Sequence, residues 1–105
     1  MKRQILIEKY VEPSEVIIYV NYVAEKWLNK NYDLHSFMGQ PAYILYDNKK
    51  ISCQCWYKKG IQHRDRDLPA EIGYNNGKET YKWWYKNGII IKNNISKIQK
   101  TWQKI

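Results

Sequence analysis

The sequence predicts a mainly β fold: an antiparallel meander of β-hairpin repeats with a period of 28, closed by a C-terminal capping α-helix. Three observations carry this. Residues 34–61 (LHSFMGQPAYILYDNKKISCQCWYKKGI) align without a gap on residues 62–89 (QHRDRDLPAEIGYNNGKETYKWWYKNGI), with 12 identities in 28 positions. A fixed period of about 20–50 residues is the mark of a unit that stacks on copies of itself. Asn76-Gly77 stands between two β-prone runs, and both residues tolerate the positive φ that a tight hairpin turn needs. At the end of the chain, Ile95, Ile98, Trp102 and Ile105 recur at helical spacing, with Lys97, Lys100 and Lys104 off that face.

The chain of 105 residues suits one domain. Ile5 to Val11 reads as an N-terminal strand (residues 4–11). A degenerate repeat follows at 13–33, where Pro13-Ser14-Glu15-Val16-Ile17 resembles Pro69-Ala70-Glu71-Ile72 and Trp27 leads to His35 much as Trp56 leads to His63. Segment 14–30 admits two readings, a hairpin or a helix with Val16, Val20, Val23 and Trp27 on one stripe. β-Branched crowding and the repeat register favour strands. Repeats 34–61 and 62–89 each split into two strands, starting after Pro41 and Pro69, where a missing N–H is tolerated. Asp47-Asn48-Lys49-Lys50 lacks glycine, so its turn is expected to be longer or of another type than Asn75-Asn76-Gly77-Lys78. Residues 93–105 form the expected helix, capped by Asn93, Asn94 or Ser96, which would cover the open end of the array. The total is five to seven antiparallel strands.

Charge is uneven. The net +8 arises from a neutral first third, +3 in residues 34–61, +1 in 62–89 and +4 in 90–105. Such a balance favours acidic surfaces or polyanions as partners. No apolar segment has the length of a membrane span, and Glu8 interrupts the short run after Met1 before it could act as a signal peptide. A cytoplasmic, reducing location is expected, with Cys53 and Cys55 unbonded because they lie two apart on one strand.

His35 and His63 recur at the repeat period and, with the two cysteines, suggest a zinc set. The repeat argues against it: Cys53 and Cys55 fall on Tyr81 and Trp83, slots that accept any apolar residue, and the spacing is not a strong zinc pattern. The histidines are expected to brace the inter-repeat loop. Arg64-Asp65-Arg66-Asp67 reads as a solvated, self-paired loop. Asp65, Asp67, Glu71 and Glu79 fall on Phe37, Gly39, Tyr43 and Ile51, so no carboxylate pair is repeated. No nucleophile elbow or phosphate-cradling glycine loop is present. The expectation is a non-enzyme without metal or cofactor.

Alternation puts Cys53, Cys55, Tyr57, Tyr81, Trp83 and Tyr85 on one face, apolar at nearly every position. It puts Gln54, Trp56 and Lys58 on the other with Lys82, Trp84 and Lys86. These six form the candidate partner-binding site, an exposed Trp ladder among lysines. If Trp56 and Trp84 face the core instead, the exposed ladder becomes Tyr57, Tyr81, Trp83 and Tyr85.

An aromatic strand ending at Trp84 to Gly88, the pair His63-Arg64, then Pro69-Ala70 and the Asn76-Gly77 turn resemble the MORN-repeat variant family. Partial echoes stand at Trp56 to Gly60, His35 and Pro41-Ala42, and the resemblance covers about residues 13–91. Leu68 and Gln40 stand where the family has glycine, and Ser36 where it has arginine. Members occur in bacterial antitoxin-like proteins and in proteins of large DNA viruses and phages. The resemblance implies a hairpin meander with a binding role. The leading expectation is a non-enzymatic protein that engages a protein partner through the aromatic, basic face, such as a virus- or phage-encoded inhibitor or antitoxin-like protein. The alternative is a nucleic-acid binder, in which lysines track phosphates and tryptophans stack on bases. Edge-to-edge pairing of two copies is open to either.

Overall fold

A computed structural model of the protein describes residues 11–95. Nine strands follow in chain order: β1 (Glu15–Ile18), β2 (Tyr22–Lys26), β3 (Tyr43–Asp47), β4 (Lys50–Cys55), β5 (Tyr57–Lys58), β6 (Ile61–Gln62), β7 (Glu71–Asn75), β8 (Lys78–Lys86) and β9 (Ile89–Ile95). Seven form one antiparallel sheet in the order β1-β2-β3-β4-β7-β8-β9, while β5 and β6 make a separate two-stranded ribbon. There is no helix among the described residues. Segment 14–30 is therefore a hairpin, with Glu15 opposite Lys26 and Ile18 opposite Val23. The expected strand 4–11 lies outside the described residues except for Val11, which is not in a strand.

Turn chemistry sets the meander. Asn76 (φ 52°) and Gly77 (φ 81°) give the two-residue hairpin turn whose twist matches the flanking strands. Asn48 (φ 50°) and Lys49 (φ 69°) make the same turn, which corrects the expectation of a longer or different one. The ladder on either side, Tyr46 opposite Ile51 and Asp47 opposite Lys50, holds Lys49 left-handed without a glycine. A bulge follows at Leu45/Tyr46 and again at Gly73/Tyr74, but the first hairpin has none. An unpaired extra residue is what a bulge accommodates. It accounts for Trp56 and Trp84 lying 15 residues after Pro41 and Pro69, whereas Trp27 lies 14 after Pro13.

The C-terminal end differs from expectation. Asn93, Asn94 and Ile95, assigned to a helix from spacing, are the end of β9 and pair with Trp83, Lys82 and Tyr81. The Asn87-Gly88 turn (φ 51° and 82°) sends the chain straight back along β8, and each further residue then adds to an existing ladder. For residues 93–95, the helical spacing that starts at Ile95 does not outweigh that. The rest of the expected helix, residues 96–105, lies outside the described residues.

The buried apolar residues among those described are few: Ala24, Trp27, Ala42, Ile44, Cys55, Trp56, Ala70 and Ile72. They come from tryptophan–alanine–isoleucine sets rather than from a second layer. Trp56 packs with Ala70 and Ile72, with Tyr74 and Tyr85 half-buried against them. The Trp27 N–H donates to the Ala42 carbonyl at 2.9 Å, and the Trp56 N–H to the Ala70 carbonyl at 2.7 Å. Each tryptophan thus closes on the first residues of the following hairpin.

Candidate functional site

The connections from one hairpin to the next lie together at one end of the strands, the loop edge of the sheet, and equivalent bonds fix each. The indole N–H of Trp56 donates to the Gly39 carbonyl and that of Trp84 to the Asp67 carbonyl, both at 2.9 Å. That of Trp27 donates to the Val11 carbonyl. His35 Nδ1 accepts the Lys59 N–H and His63 Nδ1 the Asn87 N–H, both at 3.0 Å. With Nδ1 accepting, the neutral ring carries its proton on Nε2. In His63 that N–H donates to Asp65 Oδ1 at 2.7 Å, and this bond holds the Asp65 carboxyl below its ordinary value. Phe37 stands at the corresponding place beside His35, edge-on at 4.9 Å.

Arg64 forms no ion pair with Asp65 or Asp67 of its loop. Its guanidinium lies 3.8 Å from the centre of the Trp56 ring, and Nη1 donates to the Pro69 carbonyl at 3.0 Å. Burial lowers its pKa from the ordinary value, but a guanidinium keeps its charge. Lys92 repeats the arrangement 28 residues later, with Nζ 4.3 Å from the centre of the Trp84 ring. Arg66 (φ 66°) and Asp67 (φ 55°) form the tight turn of the same loop, where Met38 (φ 56°) and Gly39 (φ 81°) stand one unit earlier. The self-paired reading of residues 64–67 is thereby corrected.

The six expected partner-binding residues separate. Trp56 is only 5% exposed, beneath Arg64, and is not a free platform. The physical reason is local: Trp56 falls in the gap between β4 and β5, so the loop that follows folds over it. Lys58 is exposed on the rim of a cleft of about 550 Å³ that also contains His35, Arg64 and Arg66. Trp84 is half-buried and shares a smaller hollow of about 130 Å³ with Lys86 and Ile91. Lys82 is bound to Glu79 at 3.0 Å, and Gln54 accepts the Tyr74 hydroxyl at 2.8 Å. One ladder has become two clusters along the loop edge. The stacking of Arg64 on Trp56 and of Lys92 on Trp84 escaped the sequence reading, although a cation eight residues after each tryptophan was visible there.

The opposite face is more polar than its apolar alternation suggested. Glu71 accepts the Tyr81 hydroxyl at 2.7 Å and the Gln62 amide at 3.1 Å. Burial and the bond to Glu71 push the Tyr81 hydroxyl well above its ordinary value. The hydrogen bond with Cys53 and burial push the Cys55 thiol above its ordinary value, and Cys55 lies in the core. Both cysteines are free. Among the described residues no three His, Cys, Asp or Glu side chains converge as metal ligands. No described helix is long and apolar enough to cross a membrane. Compared with known proteins, the chain matches no family model, no curated protein and no solved structure.

Proposed function

We propose that this chain is a non-enzymatic binding protein, built from hairpin repeats of period 28, that engages a protein partner through the aromatic and basic loop edge. The observation that carries the reading is the cluster at the last unit. There a half-buried Trp84, beside Lys86 and Lys92, shares a hollow with Ile91 at 58% exposure. Tryptophan and exposed aliphatic surface beside cations suit a protein interface, whose energy comes from a few large anchors. Base stacking would need successive open rings, and Trp56 is occupied by Arg64. The resemblance to the MORN-repeat variant family supports the same role, a virus- or phage-encoded inhibitor or antitoxin-like protein working in a cytoplasm.

The test is affinity capture at physiological salt with the wild-type chain and with a Trp84→Ala/Lys86→Glu variant. A discrete partner held by the first and lost by the second supports the reading. Binding to single-stranded DNA or RNA that falls steeply with salt, with no captured protein, would replace it with the nucleic-acid alternative.

A further inference from the structure

The larger cleft has the make-up of a carboxylate receptor. Arg64 is fixed on two sides, by the Trp56 ring and the Pro69 carbonyl, and has no carboxylate partner among the described residues. A guanidinium carries five N–H donors in a rigid fork, so one bond to Pro69 leaves donors for a ligand. Lys58 and Arg66 add two exposed cations at the rim, and the one carboxylate there, Asp65, is bonded to His63. Met38, at 70% exposure, and Leu68, at 41%, put apolar surface beside these charges.

The geometry points to this cleft as the docking site for an acidic segment of the protein partner, one whose glutamate or aspartate carboxylate engages Arg64 while a neighbouring apolar side chain covers Met38 and Leu68. This rests on the protein-partner reading above. Three features favour an acidic peptide over a nucleic-acid strand. Three cations line a single cleft, Asp65 in the same lining opposes dense negative charge, and the Trp56 ring is already covered by Arg64. Preorganisation is what makes the site selective, because an Arg already held in place loses little freedom when it binds.

The experiment titrates the full chain with a short peptide alternating Glu and Leu, with its Gln–Leu counterpart, with inorganic phosphate and with a single-stranded oligonucleotide. Arg64 side-chain NMR signals and Trp fluorescence are followed. The Glu peptide is expected to bind at least about tenfold tighter than the Gln peptide, the scale of one charge-assisted bidentate contact. Arg64→Lys keeps the charge but not the fork and should remove most of that preference. Lys58→Gln/Arg66→Gln, both exposed, should weaken binding several-fold with the fold intact. Equal binding of the Glu and Gln peptides, or a preference unchanged in Arg64→Lys, would overturn the inference. So would tighter Arg64-dependent binding of phosphate or the oligonucleotide. The two failures are distinguishable: a partner captured through Trp84 with no Glu-peptide preference sinks only the cleft, whereas a Glu-peptide preference without a captured partner removes the wider reading and the docking role with it, leaving only carboxylate recognition by Arg64.

Discussion

Placing a methyl group at Gly73 probes how the Tyr81 face of the sheet is packed. A Cβ built there would lie 1.8 Å from Tyr81 Cε2 and 2.3 Å from Cδ2, so the ring must leave. The preceding unit has the reverse arrangement, Leu45 opposite Cys53 where this one has Gly73 opposite Tyr81. Once displaced, Tyr81 loses its bond to Glu71 and its tilted contact with Trp83 at 5.2 Å. A hydrogen bond to a charged group contributes about 1.5–3 kcal/mol and an aromatic pair about 0.5–1.5 kcal/mol. Alanine returns about 0.5–1 kcal/mol by restricting the unfolded chain. Gly73→Ala should therefore destabilise by about 2 kcal/mol, or lower the melting temperature by roughly 10 °C in a domain of this size. Urea unfolding followed by Trp fluorescence measures it in wild type and in a Tyr81→Ala background. In the second background the same substitution should be neutral or slightly stabilising. Equal losses in both would refute the argument, since the clash would then not be with Tyr81.

Lys49→Gly should stabilise the fold by about 1 kcal/mol, because it removes a left-handed side-chain residue from the β3–β4 turn; an unchanged urea midpoint would count against strain there. His35→Ala and His63→Ala each leave a backbone N–H without its acceptor and should cost about 1 kcal/mol. Hydrogen exchange should quicken at Lys59 in the first variant and at Asn87 in the second. Stability should also fall at alkaline pH. The folded pKa of Tyr81 is raised, so its contribution is complete below the ordinary value of 10.0 and is lost as pH rises from there toward the folded value. In Tyr81→Phe the stability curve above that pH should be shallower, and an identical slope would contradict the assignment.

What the sequence made legible was whatever depends on local chemistry. Asn-Gly turns, alternation and the prolines at the starts of hairpins led to the antiparallel sheet, because each is settled within a few residues. The faces were not legible in the same way. Alternation describes a residue inside a strand, and Trp56 stands one residue beyond β4, where the chain turns into the loop that covers it. The turn at Asn48-Lys49 was misread for a related reason: an established ladder on both sides can hold a lysine left-handed that an isolated turn would disfavour. Spacing alone also could not weigh residues 93–95 as helix against a ready-made edge on β8.

The misreading of Trp56 has a cause that reaches beyond that one residue. No second layer covers the sheet among the described residues, so the chain buries its tryptophans under the connections between hairpins. Each connection must then bring its own cover, and for Trp56 that cover is a cation, Arg64. The same device that completes the core thus lines the loop edge with fixed positive charge. In the last unit β9 follows the turn directly and supplies Lys92 instead, on a flexible stem beside exposed isoleucines. Rigid guanidinium and mobile ammonium differ in what they recognise, the first matching the planar fork of a carboxylate and the second acting as a point charge. Two copies of one structural solution have in this way become two different surfaces. On the binding reading proposed above, that difference, rather than the repetition of tryptophan itself, is what would let the edge discriminate between partners.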